Sequence, residues 1–334
     1  MTQDMAESLI GAAEYFAKIN NMKNKKIIAW FSCGITSAVA CKLAIDEYGA
    51  DNVDIVYIGI ASAHKDNARF INDCEKWYGK KIETVRSKKY EDQFEVIEET
   101  GYVNGANGAR CTLELKKQVR FDLQKERDYS AQIFGFEFSL KEINRSIRFQ
   151  EQYPDTNPKF PLIDFKLNKN QCASMIIQAG IEMPTMYKLG YSNNNCIGCV
   201  KGGKGYWNKI RVDFPEEFKK MADAEVIAKH SCLKVVKKES RLMTDEEISI
   251  FISESKEGKW KEKDNLYINK AREVVNFETI TWIKKNYTEP LFLSELNPNE
   301  GRYSKEVMPD CGSLCDIKYV DIITDKAKEV FNKS

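Results

Sequence analysis

The stretch Ile27-Ile28-Ala29-Trp30-Phe31-Ser32-Cys33-Gly34-Ile35-Thr36-Ser37 decides the fold. The apolar run 27–31 is typical of a buried strand, and the small, hydroxyl-bearing residues after it predict a turn into a helix over 37–48 that stops at Gly49. A strand, a loop and a helix N-terminus in this order place backbone N–H groups around an anion. Gly34 allows the backbone to approach a ligand closely. The stretch predicts a phosphate-binding loop; a capped turn without a ligand is the alternative.

Strands and helices alternate outward from this stretch. Further strands are predicted over 53–60, 82–85 and 131–136, and helices over 3–20, 66–78, 112–126 and 168–180. This alternation favours an α/β fold with a doubly wound, mainly parallel sheet. Segments 215–230 and 244–286 are predicted to be mainly helical. We therefore expect two domains, a nucleotide-binding domain over 1–200 and a helical C-terminal region over 201–334.

Composition narrows the class of protein. Lys and Arg total 51 against 50 Asp and Glu, so net charge gives no argument for binding nucleic acid or membrane. No stretch approaches the roughly 18 apolar residues of a membrane span. The first residues, with Asp4 and Glu7, have no apolar run of signal length. We expect a cytoplasmic protein, in which cysteines serve as thiols, metal ligands or catalytic groups.

Paired cysteines are the main chemical signal. Cys196-Ile-Gly-Cys199 has a spacing that lets two thiolates reach one metal while Gly198 turns the chain. Cys311 and Cys315 form a second pair in the tail, and Cys111 stands alone. Zinc would suit the two pairs, whereas an iron–sulfur cluster would suit Cys111, the first pair and one tail cysteine.

The tail pair has a competing interpretation. Cys311 as a thiolate is a candidate nucleophile, with Cys315 as the thiol that resolves its adduct. One cysteine does not readily act both as a closed-shell metal ligand and as a nucleophile. The other five cysteines are interpreted as structural, although the place of Cys33 in the loop is unusual: Cys33, Cys41, Cys74, Cys172 and Cys232.

Several segments, in order, resemble one family. They are the 32–37 loop, Arg110-Cys111-Thr112 with Leu115-Lys116, Pro161-Leu162-Ile163-Asp164, Tyr187 with Gly190-Tyr191, Cys196-Ile-Gly-Cys199 and Asp310-Cys311-Gly312. Together they are similar to the phosphoadenosine-phosphosulfate (PAPS) and adenosine-phosphosulfate reductases, a branch of the PP-loop adenine-nucleotide α-hydrolases. The resemblance covers roughly residues 24–212 and the tail cysteine.

Three positions depart from the family pattern. Cys33 replaces the first loop glycine. Thr36 stands where ATP-cleaving members usually carry aspartate. Reductases also lack that aspartate, so this departure favours the reductase branch. Gly135-Phe136-Glu137 lacks the arginine that reductases place third, and Arg145 and Arg148 follow instead.

The resemblance implies a site and its cofactors. It implies an adenine nucleotide, with or without magnesium, held by Ser32, Cys33, Gly34, Thr36, Ser37, His64, Lys116, Gly135 and Arg145. It implies a 4Fe–4S cluster, with zinc as the alternative, on Cys111, Cys196, Cys199 and Cys311 or Cys315. In a reductase, Cys311 attacks sulfur and a thioredoxin-like partner releases sulfite.

Two other functions stay open. The first is an ATP-pyrophosphatase that activates a nucleic-acid base for thiolation, with a cysteine desulfurase as sulfur donor. The second is a zinc-stapled nucleotide-binding protein without catalysis. Family members are often homodimers, and no membrane partner is expected.

Overall fold

The computed structural model describes residues 26–105, 108–271 and 273–303. The strands are β1 (Ile27–Phe31), β2 (Val53–Ile58), β3 (Glu83–Val85), β4 (Asn104–Gly105), β5 (Gly108–Ala109), β6 (Ala131–Ile133), β7 (Pro158–Lys159), β8 (Leu233–Leu242), β9 (Trp260–Lys263), β10 (Leu266–Asn269), β11 (Glu273–Asn276) and β12 (Thr281–Leu291). The predicted helix at 3–20 lies outside the described residues, as do Cys311 and Cys315.

Helices of very different length connect these strands. They are α1 (Ile35–Tyr48), α2 (Asn67–Tyr78), α3 (Gln93–Thr100), α4 (Gln118–Glu126), α5 (Leu140–Gln152), α6 (Pro161–Asp164), α7 (Lys169–Gln178), α8 (Thr185–Lys188), α9 (Lys204–Asp213), α10 (Pro215–Ala228) and α11 (Asp245–Lys256). A helical turn, Arg110–Thr112, and a π-helical segment, Leu113–Lys117, lead directly into α4.

The described chain forms two compact units. The first comprises 26–96, 110–199 and Tyr303, and the second comprises 97–109 and 200–302. The chain passes from one unit to the other between Cys199 and Val200. The second unit also includes residues 97–109, which lie along the chain between two segments of the first unit.

A parallel five-stranded sheet organises the first unit, in the order β3-β2-β1-β6-β7. Ala29 in β1 pairs with Ile55 in β2 and with Ile133 in β6. From β1 the chain first builds the sheet outward on one side, through β2 and β3, and then returns to the other side of β1 with β6 and β7. The strand order therefore reverses at β1, and ligands bind on such sheets at the carboxyl ends of the strands beside this point. The predicted α/β class with a parallel sheet and flanking helices is confirmed.

Both faces of this sheet are buried, which explains why β1 is apolar at every position. Ala29 and Phe31 face a core shared with α1, including Leu43, whereas Ile28 faces Val56 and Leu123 on the other side. Full burial of an aliphatic side chain of this size contributes about 1.5–3 kcal/mol relative to exposure. A run of alternating polar residues would not support such a two-sided core.

The second unit contradicts the prediction of a helical C-terminal region. Among the described residues of 244–286, only α11 is helical, and it begins at a capping box between Thr244 and Glu247. Four strands follow it and, together with β8, form a five-stranded antiparallel sheet in the order β8-β12-β11-β10-β9. The charges in Trp260-Lys-Glu-Lys263 belong to a largely exposed edge strand. A run of charged residues of this kind is easily interpreted as part of a polar helix.

Other predicted bounds differ by small amounts. The helix predicted over 66–78 is Asn67–Tyr78, and the one over 168–180 is Lys169–Gln178. The strand predicted over 131–136 ends at Ile133. Helix α5 was not predicted, although Ser139 caps it by accepting a hydrogen bond from the Glu142 N–H. None of the described helices is long and apolar enough to span a membrane.

Candidate functional site

A cleft of about 200 Å³ opens at the carboxyl ends of β1, β2 and the strand β6, within the first unit. Trp30, Tyr57 and Phe134 give it aromatic walls, and Ser32 lies where β1 ends. Two exposed lysines, Lys116 and Lys117, also line it. The cleft therefore combines flat apolar surface with hydroxyl and cationic groups.

Ser37 holds the loop after β1 in shape. Its Oγ accepts hydrogen bonds from the Ser32 N–H at 3.0 Å and the Ser32 hydroxyl at 2.9 Å, and donates to the Gly34 carbonyl at 2.8 Å. No side chain caps the N-terminus of α1 at Gly34. The serine that sequence reasoning treated as a ligand donor therefore builds the loop, whereas Ser32 faces the cleft.

Cys33 takes a backbone conformation that favours glycine. Its φ is 61°, and its side chain is fully buried, with Sγ 3.7 Å from the Asn67 carbonyl. Burial raises the pKa of the Cys33 thiol far above its usual value. Cys33 is thus a structural thiol in a left-handed position, and it is an unreactive one.

Gly135 permits the closest backbone approach in the site. A Cβ added there would lie 2.6 Å from Ser37 Cα and 2.7 Å from Ser37 N. The segment after β6 therefore packs directly on the start of α1. The predicted nucleotide-binding role of Gly135 has a packing explanation, because any side chain would displace the loop.

Two buried asparagines connect the loop to the segment before the cysteine pair. Asn194 Nδ2 donates to the Cys33 carbonyl at 2.7 Å and to Asn67 Oδ1 at 2.8 Å, and Asn67 Nδ2 donates to the Tyr57 hydroxyl at 3.2 Å. Burial raises the pKa of Tyr57 to about 12. Asn194 Oδ1 has no hydrogen-bond partner among the described residues. The amide that lines the cleft thus retains an unused acceptor.

Arg120 on α4 is the third basic residue of the cleft. Only 9% of its surface is exposed, in contrast to the two lysines. π-Helical segments such as Leu113–Lys117 occur mostly as single turns inside α-helices, frequently at functional sites, and here the segment carries both lysines of the cleft wall.

Hydrogen bonds on both sides hold the Cys196–Cys199 turn. The Ile197 N–H donates to the Ser62 carbonyl at 2.9 Å, and the Ile197 carbonyl accepts from Gln93 Nε2 at 2.9 Å. Gly198 turns the chain with a φ of 72°. Cys196 lines the cleft. The predicted turn at glycine is therefore present, and it presents one thiol to the cleft.

Cys111 and Cys196 pack on the same apolar cluster, which consists of Ile60, Tyr90, Val96 and Leu115. Both cysteines are half-buried, as is Cys199. Within the described ranges, no three cysteine, histidine or carboxylate side chains are grouped closely enough to hold a metal ion. The two tail cysteines, Cys311 and Cys315, lie outside those ranges.

Tyr303 is the last described residue before the tail. Its hydroxyl accepts a hydrogen bond from the Ser192 N–H at 3.0 Å, and its ring lies 5.7 Å from that of Tyr191. Ser192 precedes Cys196 by four residues, and Cys311 follows Tyr303 by eight. Eight extended residues span at most about 29 Å.

Three other predicted site residues do not line the cleft. His64 Nδ1 accepts a hydrogen bond from the Asp66 N–H at 3.1 Å, which leaves the proton of the neutral ring on Nε2, and burial lowers the pKa of His64. Arg145 pairs with Glu142 at 2.9 Å and stacks on a ring after β6. Thr36 lies in the first turn of α1.

Sequence reasoning missed Arg120, Asn67 and Asn194. Arg120 follows Lys116 by four residues, so helical spacing places both on one face, and this signal was available. The asparagines carry no motif, because their role depends on contacts between segments that are distant along the chain. Asp66 directly precedes α2, but its carboxylate binds Arg69 and the Thr185 N–H and does not cap that helix.

No family model and no curated protein matches the chain. The site offers an aromatic slot, a helix N-terminus, three cations and a cysteine thiol at one edge of a parallel sheet. Such a set suits an anionic ligand with a flat ring and sulfur chemistry beside it.

Proposed function

We propose that this chain is a nucleotide-dependent enzyme of sulfur chemistry, of the PAPS-reductase type. It binds an adenine nucleotide in the cleft at the carboxyl ends of β1, β2 and β6. One observation carries the proposal: Cys196 lines the same cleft as Lys116 and Lys117. Cations at this sheet edge suit an anionic nucleotide, and the Cys196 thiol beside them suits a cysteine-ligated centre next to that nucleotide.

The walls support a nucleotide in particular. Trp30, Tyr57 and Phe134 provide rings against which a base can stack. The N-terminus of α1, which no side chain caps, provides backbone N–H donors for phosphate oxygens. The adenine-nucleotide α-hydrolase fold implied by the sequence resemblance places the nucleotide at this same edge.

The proposed reaction uses the tail. The Cys311 thiolate attacks the sulfur of the phosphosulfate, the bond from sulfur to the bridging oxygen breaks, and the nucleotide leaves with the electron pair. The product is a cysteine S-sulfonate. A thioredoxin-type dithiol then reduces it, which releases sulfite, regenerates the thiol and leaves the partner as a disulfide. The hydrogen bond from Ser192 to Tyr303 supports this role, because it fixes the start of the tail four residues from Cys196.

A metal centre is a separate part of the proposal. Cys111, Cys196 and Cys199 would hold it with one tail cysteine, and an iron–sulfur cluster would supply a store of electrons or sulfide next to the nucleotide. The two cysteines on one apolar cluster support this arrangement, since a half-buried thiol pair suits a shielded centre.

Product analysis tests the proposed reaction. Purified anaerobic protein is incubated with PAPS, thioredoxin, thioredoxin reductase and NADPH, and in parallel with ATP, RNA or DNA, and a cysteine desulfurase with cysteine as sulfur donor. Sulfite in the first mixture is the expected result. Pyrophosphate and thiolated nucleic acid in the second mixture, without sulfite in the first mixture, would contradict the reductase function and support the thiolation function.

Binding measurements test the cleft. We expect Lys116→Met to weaken PAPS binding about 10-fold or more, because a charged hydrogen bond is lost. Lys125→Met on α4 is the matched control, since Lys125 is exposed and pairs only with Asp122 nearby. Equal binding by both variants would remove Lys116 from the site.

Metal and sulfide analysis tests the centre. We expect iron and acid-labile sulfide in the anaerobic wild type and a large loss in Cys199→Ser. Cys232→Ser is the control, because Cys232 is also half-buried but belongs to the second unit. Zinc without sulfide would support the zinc alternative, and equal metal in all three proteins would exclude Cys199 as a ligand.

A further inference from the structure

The guanidinium of Arg120 lies among four aromatic rings in the cleft wall. Its Cζ is 4.8 Å from the ring centroid of Tyr153, 5.0 Å from Phe121, 5.2 Å from Phe149 and 5.9 Å from Phe134. Phe134 also lines the cleft, at the end of β6. The cation is therefore held by ring faces, which attract it without fixing its direction.

Two nitrogens of the Arg120 guanidinium have no hydrogen-bond partner. Nε and Nη2 are buried and have no acceptor among the described residues. The Tyr153 hydroxyl interacts with the guanidinium, and burial lowers the pKa of Arg120. Arginine stays charged at neutral pH even so. A charge that is nine-tenths buried and lacks a carboxylate partner is unusual, because burial of an unpaired ion is unfavourable.

Two explanations compete for this arrangement. A purely structural cation among rings would strengthen the packing of α4 on α5, and the N–H groups would be wasted. A binding residue would keep those N–H groups unpaired in order to receive an anion. The position in the wall of a cleft with two further cations favours the second explanation.

We propose that Arg120 is the anion-recognition residue of the cleft and that its Nε and Nη2 bind one phosphate or sulfate group of the nucleotide side-on. This inference rests on the proposed function, which it makes more specific. The two nitrogens are shielded from water, so the guanidinium turns toward the cleft that it already lines when the anion enters. Arginine presents two parallel N–H groups to such an oxyanion, which lysine does not.

Calorimetry with a graded set of ligands tests the proposal. Wild type, Arg120→Lys and Arg120→Met are titrated with adenosine, AMP, ADP and ATP, and with inorganic sulfate and pyrophosphate. We expect both substitutions to weaken ATP binding about 10- to 100-fold and adenosine binding less than 2-fold. Lys125→Met again serves as the control and should bind all ligands as the wild type does.

Thermal unfolding separates the binding role from a packing role. Methionine fills much of the same volume without a buried charge, so Arg120→Met should melt at or above the wild-type temperature. A lower melting temperature together with equal weakening of adenosine and ATP would show a packing role and would overturn the proposal. Unchanged ATP binding in both variants would overturn it as well.

The inorganic ions distinguish this inference from the function on which it rests. If no adenine nucleotide binds to the wild type, the proposed function fails. Pyrophosphate or sulfate binding that is lost in Arg120→Met would then still support Arg120 as an anion receptor. Absence of both nucleotide and inorganic anion binding in the wild type would overturn the two together.

Discussion

Gly135 and Ser37 are so close that a single methyl group does not fit between them. A Cβ on Gly135 would lie 2.6 Å from Ser37 Cα, and both atoms nearest to it belong to backbone, which does not swing aside as a side chain does. This contact joins the end of the third strand in the cleft to the first turn of α1. The shape of the proposed phosphate loop thus depends on a residue about a hundred positions away along the chain.

Gly135→Ala should therefore damage both stability and binding. We expect a loss of about 1–3 kcal/mol in the free energy of unfolding, as for overpacking in general, and weaker ATP binding. Urea unfolding and calorimetry measure the two effects. Gly203→Ala is the control, because its Cβ would meet no atom within 4 Å. Its cost should stay below about 1 kcal/mol, with unchanged ATP binding. Wild-type stability in Gly135→Ala would contradict the close contact.

Ser37→Ala tests the hydroxyl that closes the loop. Without Oγ, the Ser32 N–H loses its acceptor and the Gly34 carbonyl keeps only the Ala38 N–H, so we expect a loss of about 1–2 kcal/mol in the free energy of unfolding. Nucleotide binding should weaken with it because Ser32 loses its orientation. Ser174→Ala is the matched control, since that exposed hydroxyl bonds only to its own helix. Equal behaviour of the two variants would show that Ser37 does not shape the site.

Cys33 and Cys172 should respond in opposite ways to the same two substitutions. Both side chains are fully buried, but Cys33 has a φ of 61° and Cys172 lies within α7. At 33, glycine should be more stable than alanine by about 1 kcal/mol, because alanine keeps the left-handed strain. At 172, alanine should be more stable than glycine by about 1 kcal/mol, because glycine weakens a helix. Urea unfolding of the four variants measures both differences, and the same order at both positions would refute the strain at Cys33.

Asp66 should contribute stability that depends on pH. Its carboxylate accepts two hydrogen bonds from Arg69 and one from the Thr185 N–H, and these donors, the guanidinium above all, hold the pKa of Asp66 far below its usual range. A depressed pKa in the folded state means that the contribution is complete above the unfolded value of about 3.9 and is lost as the pH falls toward the folded value.

We expect Asp66→Asn to lower the free energy of unfolding at pH 7 by about 1–2 kcal/mol, since the pair is only partly buried. The difference from wild type should shrink when the measurement is repeated near pH 3. Glu126→Gln is the control, because Glu126 pairs with Lys88 between two exposed side chains and should matter little at either pH. A difference that does not change with pH would contradict the role of the charge.

The sequence predicted the first unit well because its signals are local. The apolar run at 27–31, the loop after it and Gly49 at the helix end each follow from neighbouring residues. The second sheet was not predicted because its strands give weak local signals. Strands β9, β10 and β11 are only four residues long, and lysines and glutamates hide the alternation. These strands and β12 pair as neighbours along the chain, whereas β8 pairs with the distant β12.

The residues of the site also divide into those that a local motif predicts and those that only the folded chain identifies. Ser32, Lys116 and Cys196 follow from motifs and line the cleft. Arg120 and Asn194 line it as well, but what marks them is a missing hydrogen-bond partner, and this is a property of the folded chain. Arg145 was expected near the ligand for its charge, and its stacking on Phe136 was not visible in the sequence.

The assignment of 97–109 to the second unit affects how the protein is made. Ile97–Ala109 leaves the ribosome before most of the first unit, yet it packs with 200–302, and the Asn104 side chain donates to the Val200 carbonyl at 3.3 Å. At bacterial to eukaryotic translation speeds, the missing partner emerges roughly 5–20 s later. During synthesis, residues 97–109 therefore stay without their packing partner until residues 200–302 have left the ribosome.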